Sequence, residues 1–174
     1  ERSGVLTHPY LLSSFAYFKT SSPIHRGVLI ARNLLGRTLM PPPQAVTPLA
    51  IELHPNLTTR QRVTLQTKPV NCMGCHGMIN PLGFPLEKFD AIGRLRTKEN
   101  EQPVDATGSY HTRAGETIKF SGAKELARFI AGSEEAHSAF VEKLFQHMTK
   151  QAIRAYGPNA TRTFVEALAA NDCS

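Results

Sequence analysis

TTRQRVTLQTKPVNCMGCHG, residues 58–77, is the stretch on which the reading of the chain turns. It opens with a capping-box pattern. Thr58 stands three residues before Gln61, so each side chain can bond the other's backbone N–H at a helix start. The expected helix leads straight to Cys72 and Cys75, with His76 directly after the second. Three chemistries use such a cysteine pair. A thioredoxin-like redox pair needs a strand-to-helix turn, and no parallel-strand pattern precedes Cys72. A structural zinc site needs four ligands, and the chain has neither a second C-x-x-C nor an H-x(3–5)-H pair.

The third chemistry is a covalent c-type haem. Each thiol adds to one of the porphyrin's two vinyl groups, and the two-residue spacing lets one turn of backbone reach both. A histidine adjoining the second cysteine can then ligate the iron, and neither rival chemistry needs it there. The motif favours haem over zinc and redox chemistry, with Cys72 and Cys75 as expected covalent anchors, His76 as expected proximal ligand and one haem c as expected cofactor.

The flanking sequence supplies the expected frame. In SSPIHRGVLIARNLLGR (21–37), Ser22 suits an N-cap, Pro23 the first helical position and Gly36 the C-terminal cap. TLMPPPQ (38–44) reads as extended, and 45–57 as loop. NPLGFPLEKFDAIGRLR (80–96) reads as a Pro-Leu-Gly turn followed by a helical turn over 86–90. PVDATGSY (103–110) and ETIKF (116–120) predict a small hairpin. Helices follow over 121–132, 133–157 and 160–170. The long one carries an apolar face of Phe140, Val141, Leu144, Phe145, Met148 and Ala152. The predicted fold is mainly α: a cytochrome c-like haem-binding helical domain over 58–174, with an N-terminal helical and proline-rich extension over 1–57 and a small β-hairpin.

Composition narrows the function classes. The chain has 174 residues, 41% of them hydrophobic and 20% charged, which suits a packed core and argues against wholesale disorder. No apolar run approaches the ~18–20 residues of a membrane span. The net charge of +6 suits an acidic partner. No Lys/Arg run interleaved with aromatics points to nucleic acid. The opening ERSGVLTHPYLL lacks the basic region and apolar core of a signal peptide, and reads as the start of a piece excised from a longer parent with other domains. Three cysteines cannot all pair, and Cys173 reads as a free thiol.

Taken in order, SSPIHRGVLIARNLLG, the PPP run, TTRQRVTLQT, CMGCHGMINPLGFPLEKFDAIGRLR, VDATGSY and the closing AYGP resemble the C-terminal cytochrome-like module of large planctomycete-type secreted proteins, over roughly residues 3–170. The resemblance implies a c-type haem on Cys72, Cys75 and His76 and an extracytoplasmic location. It implies no substrate, and no role for Asn80 to Arg94. On their own chemistry, Pro81, Leu82 and Phe84 would wrap the haem edge, Glu87 and Asp90 would order the loop, and Arg94, Arg96 or Arg26 would pair with a propionate.

The iron's sixth ligand stays open at this level. His25 leads, because it stands in a first helical turn where the related pattern often has lysine, another nitrogen donor. Met148 on the long helix and Met40 before the prolines are the thioether candidates, with His147, His8, His54 or an open position behind them. His111 and His137 read as solvent-exposed. Two filled axial positions would make an electron-transfer domain served by a redox partner protein. An open position would make a haem enzyme or sensor, peroxidase-like or small-ligand binding. A third reading is an interaction module that haem merely stabilises.

Overall fold

The structure is a computed structural model that describes residues 4–40 and 54–171. Prolines 41–43, most of the expected loop 45–57 and Cys173 lie outside the described residues. The described helices are α1 (Pro9–Ser14), α2 (Pro23–Leu29), α3 (Thr59–Gln66), α4 (Val70–Gly83), α5 (Ala123–Ala131), α6 (Glu134–Thr149) and α7 (Ala160–Ala170). Two antiparallel hairpins accompany them. They are β1 (Lys98–Glu99) with β2 (Gln102–Pro103), and β3 (Gly108–His111) with β4 (Thr117–Phe120). The fold is mainly helical, as the sequence predicts. The first hairpin is additional to the expected one. It closes through Asn100 and Glu101, both at positive φ, and glutamate is an unusual residue there.

Local signals set the helix starts. The Ser22 hydroxyl accepts the His25 backbone N–H at 3.2 Å, and Pro23 opens α2. The helix widens into a π turn over Ile30–Leu34. Gly36, at φ 62°, then takes the left-handed conformation that ends it. At α3 both halves of the capping box form, with Gln61 Oε1 accepting the Thr58 N–H at 2.8 Å.

Two expected boundaries are corrected. α4 runs through the C-x-x-C-H motif and on through Pro81 to Gly83, so Pro-Leu-Gly is a last helical turn rather than a break. α6 stops at Thr149 rather than near residue 157. Lys150 adopts a left-handed cap, and the chain folds back so that Ile153 is buried and Tyr156 meets Phe145 at 5.0 Å between ring centroids.

α4 is the central element. It packs against α2, the π turn and β3. A Cβ on Gly27 would run into the Ile79 carbonyl, and one on Gly83 into the Pro23 carbonyl. The backbones of α2 and α4 therefore touch at both places. Leu6, Leu12, Ile30 and Leu35 share one core with Leu82, Leu86, Phe89, Tyr110, Phe120 and Leu126. The face expected on α6 is different. Ala136, Ala139 and Val141 are its buried residues, whereas Phe140, Leu144 and Met148 are exposed.

Candidate functional site

The N-terminal half of α4 emerges from the core that its C-terminal half helps to build. Residues 79, 80, 82 and 83 are buried, while Val70 is 91% exposed and Met73 46%. Cys72, Cys75 and His76 lie between these extremes, half-buried. Their spacing of i, i+3 and i+4 puts all three on one helical face. Both thiols are free, and the Cys72 Sγ lies 3.7 Å from the Asn71 side-chain oxygen.

The imidazole of His76 is held from behind. Its Nδ1 is 2.9 Å from Asn80 Oδ1, one turn further along α4. Asn80 is buried, and its amide nitrogen donates to Thr67 Oγ1 at 2.8 Å. Thr67 is buried too, and its hydroxyl donates to the Val63 carbonyl at 2.8 Å. Among the described residues, Nε2 of His76 has no hydrogen-bond partner. Position 80 carried no role in the sequence reading. The available signal was its i+4 spacing from the motif histidine.

The residue types and exposures fit a covalently held porphyrin. Two reduced thiols share a face, and among the described residues one ring nitrogen of His76 stays bare. A porphyrin brings four nitrogens to its iron, so the protein need supply only axial ligands. A bare metal ion asks for more. Among the described residues no group of three or more His, Cys, Asp and Glu is placed to hold one. Two clefts of about 490 and 500 Å³ lie elsewhere. One is lined by Arg60, Phe84 and Lys119, the other by Arg113, Phe129 and Glu135.

The distal candidates are scattered. His25 is exposed, with its ring 5.0 Å from that of Tyr17, and partial burial pulls its pKa below the ordinary value. Met40 and Met148 are each 73% exposed, so Met148 is not a core residue. His8 and His147 are exposed, and His54 is half-buried. His111 and His137 are exposed, the latter with Nε2 at 2.9 Å from the Ala131 carbonyl. Among the described residues none of these histidines is hydrogen-bonded to the motif.

Two of the three propionate candidates have partners within the protein. Arg26 is fully buried. Its guanidinium donates to the carbonyls of Phe89 and Asp90 at 2.8 Å and of Leu86 at 3.2 Å, and lies 3.6 Å from Glu87. Arg96 pairs with Glu87 at 3.1 Å and Glu99 at 3.2 Å. Both guanidiniums are committed to the protein interior. Arg94 remains exposed, in an ion pair with Asp90 at 2.7 Å. Phe84 lies under the Arg60 guanidinium, 4.2 Å from its ring centroid, so this ring braces α3. Pro81 and Leu82 belong to the closing turn of α4, with Leu82 fully buried.

A family model described as PSCyt3, protein of unknown function (DUF1588), matches residues 2–99. The family's name is of the planctomycete cytochrome type, and over residues 2–99 it fits the resemblance carried by the motifs. The match takes in α1 to α4, the motif and the Arg26–Glu87 cluster. No curated protein and no solved structure matches the sequence.

Proposed function

The chain belongs to the PSCyt3 family, and from that premise we propose that it is a c-type cytochrome domain that carries one covalent haem and passes single electrons. The observation that carries this reading is the half-exposed face of α4 on which Cys72, Cys75 and His76 stand together, with Nε2 of the histidine bare among the described residues. Cys72 and Cys75 would hold the porphyrin, each thiol adding across one vinyl group with its proton passing to the other vinyl carbon so that no oxidant is needed, and His76 would offer Nε2 to the iron. Bound in this way, haem supplies a one-electron couple.

The net charge of +6 favours an acidic redox partner, whose approach it accelerates at low salt. Thioethers of this kind are made outside the cytoplasm, so the same reading assigns the chain an extracytoplasmic site of action. No described helix is long and apolar enough to cross a membrane.

The test is an absorption spectrum of protein produced with haem maturation, oxidised and then reduced, with carbon monoxide added last. Split visible bands after reduction, unchanged by carbon monoxide, are the expected result for electron transfer. They would mean a sixth ligand in place, to be sought at His25, Met40 and Met148. A carbon monoxide shift would replace electron transfer with small-ligand chemistry at an open iron. A chain without a Soret band, like a Cys72→Ala/Cys75→Ala control, would sink the haem reading.

A further inference from the structure

We infer that Asn80, held by Thr67, is a positioning residue that sets which nitrogen of His76 is free to bind iron. The inference deepens the haem reading and rests on it for its purpose, but the hydrogen-bond logic belongs to the chain alone. The Thr67 hydroxyl spends its single proton on the Val63 carbonyl, 2.8 Å away. Its oxygen can therefore only accept from Asn80, and the Asn80 group 2.8 Å from it is the amide NH2. That choice turns the amide oxygen toward His76. An oxygen at 2.9 Å from Nδ1 requires the proton on Nδ1.

The neutral ring is then the Nδ1–H tautomer, and the lone pair sits on Nε2. An acceptor facing the other ring nitrogen fixes tautomer and rotation together, which is how outer partners govern a ligating histidine. The placement is rigid. Asn80 and Thr67 are 6% and 4% exposed, and the relay ties α4 back to α3 through the Val63 carbonyl. The relay also tunes the ligand. The more strongly Nδ1–H is pulled, the more electron density Nε2 gives the metal, and the more the oxidised iron is favoured.

Three variants test this: Asn80→Asp, which offers a charged acceptor, Asn80→Leu, which offers none, and Thr67→Val, which releases the amide to rotate. In the haem-loaded protein the reduction equilibrium is expected to fall about tenfold in Asn80→Asp and rise about tenfold in Asn80→Leu, about 59 mV each for one electron. Thr67→Val should shift in the same direction as Asn80→Leu, and its conservative shape protects against the case where Asn80→Leu does not fold. Loaded protein whose potential is the same in all three variants would overturn the inference and leave the haem reading standing.

A wild-type chain that takes up no haem would instead defeat the haem reading. The positioning is then read in the metal-free chain from the ring ¹⁵N shifts of His76, at a pH where the ring is neutral. Protonation at Nδ1 in the wild type, moving to Nε2 in Asn80→Leu, supports the inference. Protonation at Nε2 in the wild type, or no change in the variant, overturns it.

Discussion

Glu87 is the residue on which the buried electrostatics turn. It is 1% exposed, and one carboxylate oxygen accepts from Ser21 at 2.9 Å and from Arg96 at 3.1 Å. Its other oxygen faces Arg26 and, among the described residues, has no hydrogen bond. Burial pushes its pKa up to about 7 from the ordinary 4.5, against the pull of Arg26 and Arg96. Between those two values the folded chain keeps a proton that the unfolded chain has lost. Stability therefore falls as pH rises from about 4.5 through about 7, and this contribution is flat on either side. Glu87→Gln removes the titration. Thermal melts of wild type and variant across pH 4.5–8 should diverge, with the wild-type midpoint dropping relative to the variant as pH rises. Parallel curves would count against a raised Glu87. Arg26→Met is the harsher change, because it leaves Glu87 and four backbone carbonyls without their buried partner. It should cost about 3–5 kcal/mol in urea denaturation at neutral pH.

At the scale of elements, the crossing of α2 on α4 sets where the motif stands. Gly27 and Gly83 let the two backbones touch, and each has a carbonyl where a Cβ would go. Gly27→Ala or Gly83→Ala must push the helices apart, for about 1–3 kcal/mol or more. Denaturation midpoints read this directly, and a loss below about 0.5 kcal/mol in both would mean the contact yields. Sequence signals reached the elements whose causes are local. The Thr58–Gln61 box, the Ser22–Pro23 start and the Gly36 stop all form where the pattern puts them. Features with distant causes were not legible. Lys150 gives no stop signal, since α6 ends because Ile153 and Tyr156 fold back onto it. The first hairpin turns on Asn100 and Glu101, where no glycine advertises a positive φ. Arg26 looks like a surface cation in sequence, because Leu86, Glu87, Phe89 and Asp90, which hold it, stand sixty or more residues away. The C-x-x-C-H motif is contiguous and therefore readable, but its support from Thr67 needs the fold that brings α3 beside α4.

At the scale of the molecule, the question is whether residues 58–174 stand alone. Leu12, Ile30, Ala31 and Leu35 are fully buried and Leu6 nearly so, all in the same core as Leu82, Leu86 and Phe120. Burying one large aliphatic side chain is worth about 1.5–3 kcal/mol, so four leucines and isoleucines together contribute roughly 6–12 kcal/mol. That is comparable to the whole stability of a typical domain, about 5–15 kcal/mol. Losing the segment before residue 58 would also leave Glu87 without Arg26 and Ser21, and would uncover the face of α4 that Gly27 and Pro23 now cover. A chain starting at Thr58 should therefore retain some helical circular dichroism, bind a hydrophobic dye and show no cooperative melt. The full chain should melt in one transition when followed by both far- and near-ultraviolet signals. A shortened chain that melted cooperatively, within a few degrees of the full one, would show that the N-terminal helices are an accessory. Failure of the shortened chain would make α2 part of the scaffold that presents Cys72, Cys75 and His76, since α4 takes its position from the helix it crosses.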